Sequence, residues 1–131
     1  MIYLLDTNAL IHAQKGHPPS VRAKLQQISP DDVAVSTVTL AELWFGIAKS
    51  SNPTGKRAAW ERVIEPWQVL PFDEDAADHH ARIRWELRHN PIGDRDLLIA
   101  AIAASRDLVV VSQNVREFRR VPGLRVEDWT R

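Results

Sequence analysis

The chain of 131 residues contains no cysteine, which excludes disulfides and zinc–thiolate sites and is compatible with a reducing compartment. It carries no net charge, with 17 Lys and Arg against 17 Asp and Glu. A tight, non-specific nucleic-acid binder would be basic, but a zero balance leaves open a local grip on a phosphate backbone through metal and a few arginines. No segment reaches the roughly 18 apolar residues of a membrane span. The apolar N-terminal stretch is broken by Asp6 and has no basic leader, so no signal peptide and a cytoplasmic location are expected. Internal repeats, low-complexity tracts and linkers are missing too, and the length suits one domain with one core. Of the basic residues, 13 are Arg and 4 Lys; phosphate contact would favour Arg, and genomic base composition explains the ratio at least as well.

What the chain does have is an alternation of short apolar runs and amphipathic stretches. Ile2–Leu5 is fully apolar and partly β-branched, as a buried strand requires. Thr7 or Asn8 then offers a cap for a helix through Ala9-Leu10-Ile11, which Gly16-His17-Pro18-Pro19 terminates. Ser20 is a candidate cap for a second helix ending near Ser29-Pro30, and Val33–Ser36 is a second strand. A helix from Thr37 or Thr39 to Lys49 follows, then one over about Lys56–Glu65 closed by Pro66. Gln68–Phe72 is a third strand, restricted by Pro71. Asp73 caps a long helix to His89, Asp94 begins another to about Arg106, Leu108–Val111 is a fourth strand, and Leu124–Val126 is a candidate fifth. Strands alternating with helices predict an α/β fold with a parallel sheet covered on both faces.

Sites in such sheets form at the carboxyl ends of the strands. Asp6 ends the first strand, Glu42 lies in the first turns of the helix after the second, and Ser112-Gln113-Asn114 follows the fourth. Asp96 sits at the mouth of the helix feeding that fourth strand. If Asp6, Glu42 and Asp96 converge, their repulsion calls for a cation, and a hard divalent metal is the natural one.

The motifs around these acids resemble a known family. Leu5-Asp6-Thr7-Asn8, Leu40-Ala41-Glu42-Leu43 with Gly46 and Lys49-Ser50, and Pro91-Ile92-Gly93 followed by Asp96-Leu97-Leu98-Ile99-Ala100 are similar to the PIN domain. The ending Asn114-Val115-Arg116-Glu117-Phe118, then Val121-Pro122-Gly123-Leu124 and Glu127-Asp128-Trp129, narrows the resemblance to VapC-type toxins of bacterial toxin–antitoxin pairs. It extends over essentially the whole chain. Each motif is weak alone; four in this order at this length are specific.

The resemblance implies a PIN-like three-layer sandwich whose central, mainly parallel sheet of four to five strands is flanked by helices. It implies a Mg²⁺- or Mn²⁺-dependent endoribonuclease that hydrolyses RNA phosphodiesters with metal-activated water. A cognate VapB-type antitoxin would silence it, and a homodimer within a larger toxin–antitoxin assembly is implied. Position by position, Asp6, Glu42 and Asp96 match the family's catalytic and metal-binding acids, Glu42 directly or through water. Asn114 matches a fourth metal position that is Asp in many PIN domains; its amide oxygen can coordinate but adds no charge. Thr7, Asn8 and Ser112, with Asn114, are candidates for supporting the ligands or touching phosphate.

Each candidate also has an ordinary structural reading. Asp96 could simply complement a helix macrodipole, worth about 0.3–1 kcal/mol. Asp94 suits an N-cap, worth around 1 kcal/mol, and Thr7, Asn8 and Asn114 suit caps or turns. His79 and His80 are adjacent and share no helix face, so the zinc-enzyme i, i+4 pair is excluded. Arg82, Arg84 and Arg88 fit a solvated helix face as readily as an RNA contact. Five tryptophans exceed what one small core readily hides, and Trp44-Phe45 beside the Glu42 turn suits a protein interface. A haloacid-dehalogenase-type phosphatase would need Asp where Asn8 stands. A receiver-type switch would need a Lys after its last strand, and no lysine follows Lys56. A PIN-shaped module acting mainly through RNA or protein binding survives as the alternative to an enzyme.

Overall fold

The computed structural model describes residues 1–131. Five strands are interleaved with seven helices. The order is β1 (Tyr3–Leu5), α1 (Thr7–Lys15), α2 (Pro19–Gln26), a 3-10 turn (Pro30–Asp32), β2 (Val33–Ser36), α3 (Thr37–Ala48), α4 (Pro53–Ile64) and β3 (Gln68–Leu70). Then come α5 (Glu74–Glu86), α6 (Asp94–Ser105), β4 (Val109–Val111), α7 (Val115–Phe118) and β5 (Arg125–Glu127). The sheet order is β3-β2-β1-β4-β5 and every pairing is parallel.

The chain winds outward from β1 through β2 to β3, then returns to the other side of β1 for β4 and β5. The strand order therefore reverses between β1 and β4, the crevice where open α/β sheets bind ligands. Registers Leu5↔Val111 and Leu5↔Val35 level the three central strands. Their carboxyl ends, and the residues just beyond them, lie along one rim of the sheet.

Side chains that alternate across the pleat build the two outer layers. Leu4, Ala34 and Val110 face one side, where α5 and α6 supply Ile83, Ile99 and Ile102 and α7 supplies Phe118. Leu5, Val33, Val35 and Val111 face the other, with Leu10, Leu43, Ile64 and Trp129. Each such fully buried aliphatic side chain stabilises the fold by about 1.5–3 kcal/mol. Because both faces are covered, the central strands read as unbroken apolar runs. No helix is long and apolar enough to cross a membrane.

Several local expectations are corrected. Neither Thr7 nor Asn8 caps α1; Asp6 does, its carboxylate accepting from the Ala9 amide. Ser20 lies inside α2, which starts at Pro19 without a side-chain cap, and its hydroxyl donates to the Trp129 carbonyl at 2.7 Å. Ser36 caps α3 in place of Thr37 or Thr39. α4 begins three residues earlier than expected, because Asn52 caps it and Pro53 fits its first turn. Asp73 does cap α5. Asp94 is the first residue of α6 and not its cap, a place taken by Gly93 without a side-chain bond. β3 stops at Leu70, before Pro71, at a sheet edge. Among the tryptophans only Trp129 is buried; Trp44, Trp60 and Trp67 are half-buried and Trp85 is exposed.

Candidate active site

Asp6 is placed by two backbone constraints. Its amide donates to the Val111 carbonyl at 3.0 Å, extending the β1–β4 ladder by one residue. Its Oδ1 then accepts from the Ala9 amide at 2.8 Å and starts α1. One carboxylate oxygen is spent on the cap, and the residue is only 6% exposed. Burial pushes the Asp6 carboxyl above its ordinary range; a hydrogen bond with Ser112 and the Ala9 amide oppose this, and the nearby Glu42 charge adds to it.

Glu42 reaches the same rim from the second turn of α3, where Ser36 anchors the helix start through the Thr39 amide at 3.1 Å. Its Oε1 accepts from the Thr7 hydroxyl at 2.8 Å, so the residue after Asp6 steers the second acid. The Thr7 and Thr39 hydroxyls are 3.3 Å apart. Thr7 has one proton, and the shorter contact to a carboxylate takes it. Oε2 of Glu42 is ion-paired with the guanidinium of Arg95.

Asp96 is the third residue of α6. A helix N-terminus stabilises an ionised carboxylate, yet the Asp96 carboxyl is pushed up to about 7. Burial is the main cause; a hydrogen bond shared with Glu117 and the charges of Glu117 and Asp6 add to it, while Asn114 opposes. Proximity of acids and burial outweigh the dipole. Glu117 is correspondingly held below its ordinary range, chiefly by the same hydrogen bond with Asp96.

Asn114 ties these groups together. Its amide nitrogen donates to Asp96 Oδ2 at 2.7 Å and to Glu117 Oε2 at 2.8 Å. Its backbone amide donates to the Ser112 hydroxyl at 2.9 Å, and Ser112 is buried. Of the sequence candidates, Thr7 with Glu42, and Asp6, Ser112 and Asn114 with Asp96, thus form two hydrogen-bonded groups that meet through the charges of Asp6 and Glu42, whereas Asn8 is exposed and makes no side-chain hydrogen bond in either.

Two members escaped the sequence reading. Glu117 stands three residues after Asn114, on the same side of the single-turn helix α7, so a fourth carboxylate joins the rim although position 114 is neutral. The available signal was that i, i+3 spacing, detectable only if Val115–Phe118 is known to be helical. Arg95 was hidden between Asp94 and Asp96, and its partner Glu42 is 53 residues away.

The donor set of carboxylates and an amide oxygen is the chemistry a hard divalent cation prefers. The Asp96 carboxyl, raised partly by neighbouring negative charge, is what an added cation would relieve. As the side chains stand, no three His, Asp or Glu groups are close enough together to hold one ion. Asn114 presents its donor nitrogen to Asp96 and Glu117, and Arg95 holds Glu42. The residues fit a cation by type and charge, with the ligand oxygens engaged by internal donors.

A PIN domain family model matches residues 3–124. The "tRNA(fMet)-specific endonuclease VapC" of Salmonella typhimurium is 41% identical over 129 residues, covering 97% of each chain. "Ribonuclease VapC2" of Rickettsia felis is 32% identical over 98% of each. Among solved structures, DNA-bound VapBC from Salmonella typhimurium matches with a TM-score of 0.90 at 40% identity over 98% of each chain. VapBC-1 from nontypeable Haemophilus influenzae matches with a TM-score of 0.89 at 34% identity over all of both chains.

Proposed function

Because the chain belongs to the PIN domain family, as a VapC-type member of it, we propose that it is an endoribonuclease toxin, dependent on Mg²⁺ or Mn²⁺ and silenced by a VapB-type antitoxin. The observation that carries this reading is the gathering of Asp6, Glu42, Asp96 and Glu117 at the β1–β4 switch point, with the Asp96 carboxyl raised to about 7. A structural cap or a surface acid gains nothing from such crowding. The names of the relatives make RNA the substrate to test, and the Salmonella relative's name puts a tRNA first.

In this reading Asp6, Asp96 and Glu42 would hold the metal, with Glu117 and the amide of Asn114 beside them. When bound, such an ion would polarise the phosphodiester and make a nearby water more acidic. The chain does the positioning. Thr7 fixes the orientation of Glu42 through its 2.8 Å hydrogen bond, and Ser112 steadies both Asp6 and the Asn114 turn. Asn114 keeps Asp96 and Glu117 side by side. Glu42, with Oε1 held by the Thr7 hydroxyl and Oε2 by Arg95, would orient an attacking water once the arginine turns from it to the substrate. Arg95, at the solvent edge of Glu42, is placed to meet the incoming phosphate.

The deciding measurement is cleavage of total RNA and of purified tRNA by the native protein, Asp6→Asn and Asp96→Asn. Both variants are expected to fold and to lose hydrolysis by a factor of at least a hundred, and EDTA is expected to silence the native protein. Near-normal cleavage by either variant would sink the assignment.

A further inference from the structure

We propose that the cleft formed by α7, β5 and the C-terminal segment, which carries Arg116, Arg119 and Arg131, seats the sugar–phosphate backbone of the RNA strand next to the bond that is cut. This rests on the ribonuclease reading above and adds to it the path of the substrate. The cleft has a volume of about 690 Å³ and is lined by these three arginines with Gln113, Val126 and Asp128.

Its position follows from the topology. β4 and β5 are parallel with Val111 opposite Glu127, so Gln113 and Asp128, just past those residues, sit on the same rim as the acids. Strands are spaced about 4.8 Å apart, which sets β5 roughly 10 Å from β1, within the span of neighbouring nucleotides of one strand. The single turn of α7, with the residues that cap it at either end, divides its side chains between the two places. Asn114 and Glu117 face the acids, while Arg116 and Arg119, also three apart, line the cleft.

The charge there is free to act. Neither Arg116 nor Arg119 takes part in an ion pair, and both are exposed. The one opposing carboxylate, Asp128, accepts from the Thr130 amide at 2.9 Å and lies 3.6 Å from Arg131. Its charge is therefore already answered, and two guanidiniums remain uncompensated in a concave surface. A protein of zero net charge has no general attraction for polyanions, so affinity for RNA must come from such a local concentration.

The cleft has no aromatic lining, and stacking on bases is the usual source of base contact with single strands. Its grip is accordingly on phosphates and independent of sequence. Arg82 of α5 does not serve this purpose. Arg82 pairs with Glu86 and lines a different pocket, beside Asp107 and Leu108 at the amino end of β4.

The test is fluorescence anisotropy of labelled single-stranded RNAs of unrelated sequence, in EDTA to prevent cleavage, over a series of salt concentrations. Arg116→Gln/Arg119→Gln is expected to weaken binding roughly tenfold at low salt and to lower the salt slope by about 1.4, or roughly 0.7 per lost contact. The loss should be equal for every sequence, and the thermal midpoint unchanged. Arg82→Gln/Arg84→Gln removes the same charge from α5 and is expected to leave affinity and slope near native. Unchanged affinity in the first variant, an equal loss in the second, or a loss confined to antitoxin binding would each overturn the proposal. Native protein that binds RNA through this cleft without cutting it would instead sink the ribonuclease reading and leave the cleft standing.

Discussion

At the scale of single residues, the site is a balance between carboxylates and the few donors that hold them. Asp96 has its folded-state carboxyl raised to about 7 from an ordinary 3.8. A carboxyl raised by folding favours the protonated folded state, so its stability contribution is fully present below about pH 4. It is lost as pH rises towards 7. Asp96→Asn is therefore expected to raise the thermal midpoint of the metal-free protein at pH 8 and to leave it nearly unchanged below pH 4. Calorimetric melts across this range check it; a variant less stable than native at pH 8 would contradict the sign. Arg95 gives a second prediction. Its guanidinium holds the outer oxygen of Glu42, so Arg95→Ala frees that oxygen and should tighten Mn²⁺ binding several-fold by titration calorimetry. An unchanged dissociation constant would mean that the ion pair is too well solvated to compete.

At the scale of elements, the start of α6 separates two neighbouring acids. Asp94 occupies the first position and is exposed, whereas Asp96 points back to Asn114. Gly93, not Asp94, sits at the cap, so the loss of Asp94 removes only a favourable charge on the macrodipole, about 0.3–1 kcal/mol. Asp94→Ser is expected to keep RNA cleavage within a few-fold of native, and Asp96→Ser to abolish it. Parallel assays of the two variants decide; an essential Asp94 with a dispensable Asp96 would move the site half a turn along the helix. α1 shows the opposite economy, since one residue, Asp6, both caps the helix and lines the site.

At the scale of the whole molecule, a cluster of acids at one rim is a receptor for a basic group from a partner. The exposed Phe45 and half-buried Trp44, close after Glu42 on α3, offer apolar anchors beside it. Co-expression with the product of an adjacent reading frame is expected to yield a stable complex without nuclease activity. Expression of this chain alone should arrest growth, and Asp96→Asn should relieve the arrest. Unimpaired growth with soluble, active protein would remove the toxin role while leaving the nuclease.

By itself the sequence determined the kinds of element and their order, apart from the single-turn α7 and the 3-10 turn, because apolar runs of strand length and periodic helical stretches are local signals. It also put Asp6 at a strand end and Glu42 and Asp96 near helix starts, since the boundaries are marked by neighbouring residues. Cap choice was already less legible: Asp6 displaced Thr7 and Asn8, and Gly93 displaced Asp94. Any short polar residue near a boundary competes for that role, and the path of the backbone decides among them. Only the tertiary structure brought Arg95 to Glu42 across 53 residues and Asn114 to Asp96 across 18. It alone turned Asn114 and Glu117 towards the acids and Arg116 and Arg119 towards the cleft. The reason is physical: the parallel sheet carries the ends of β1, β2, β4 and β5 to one rim, and no local pattern encodes which side chains meet there.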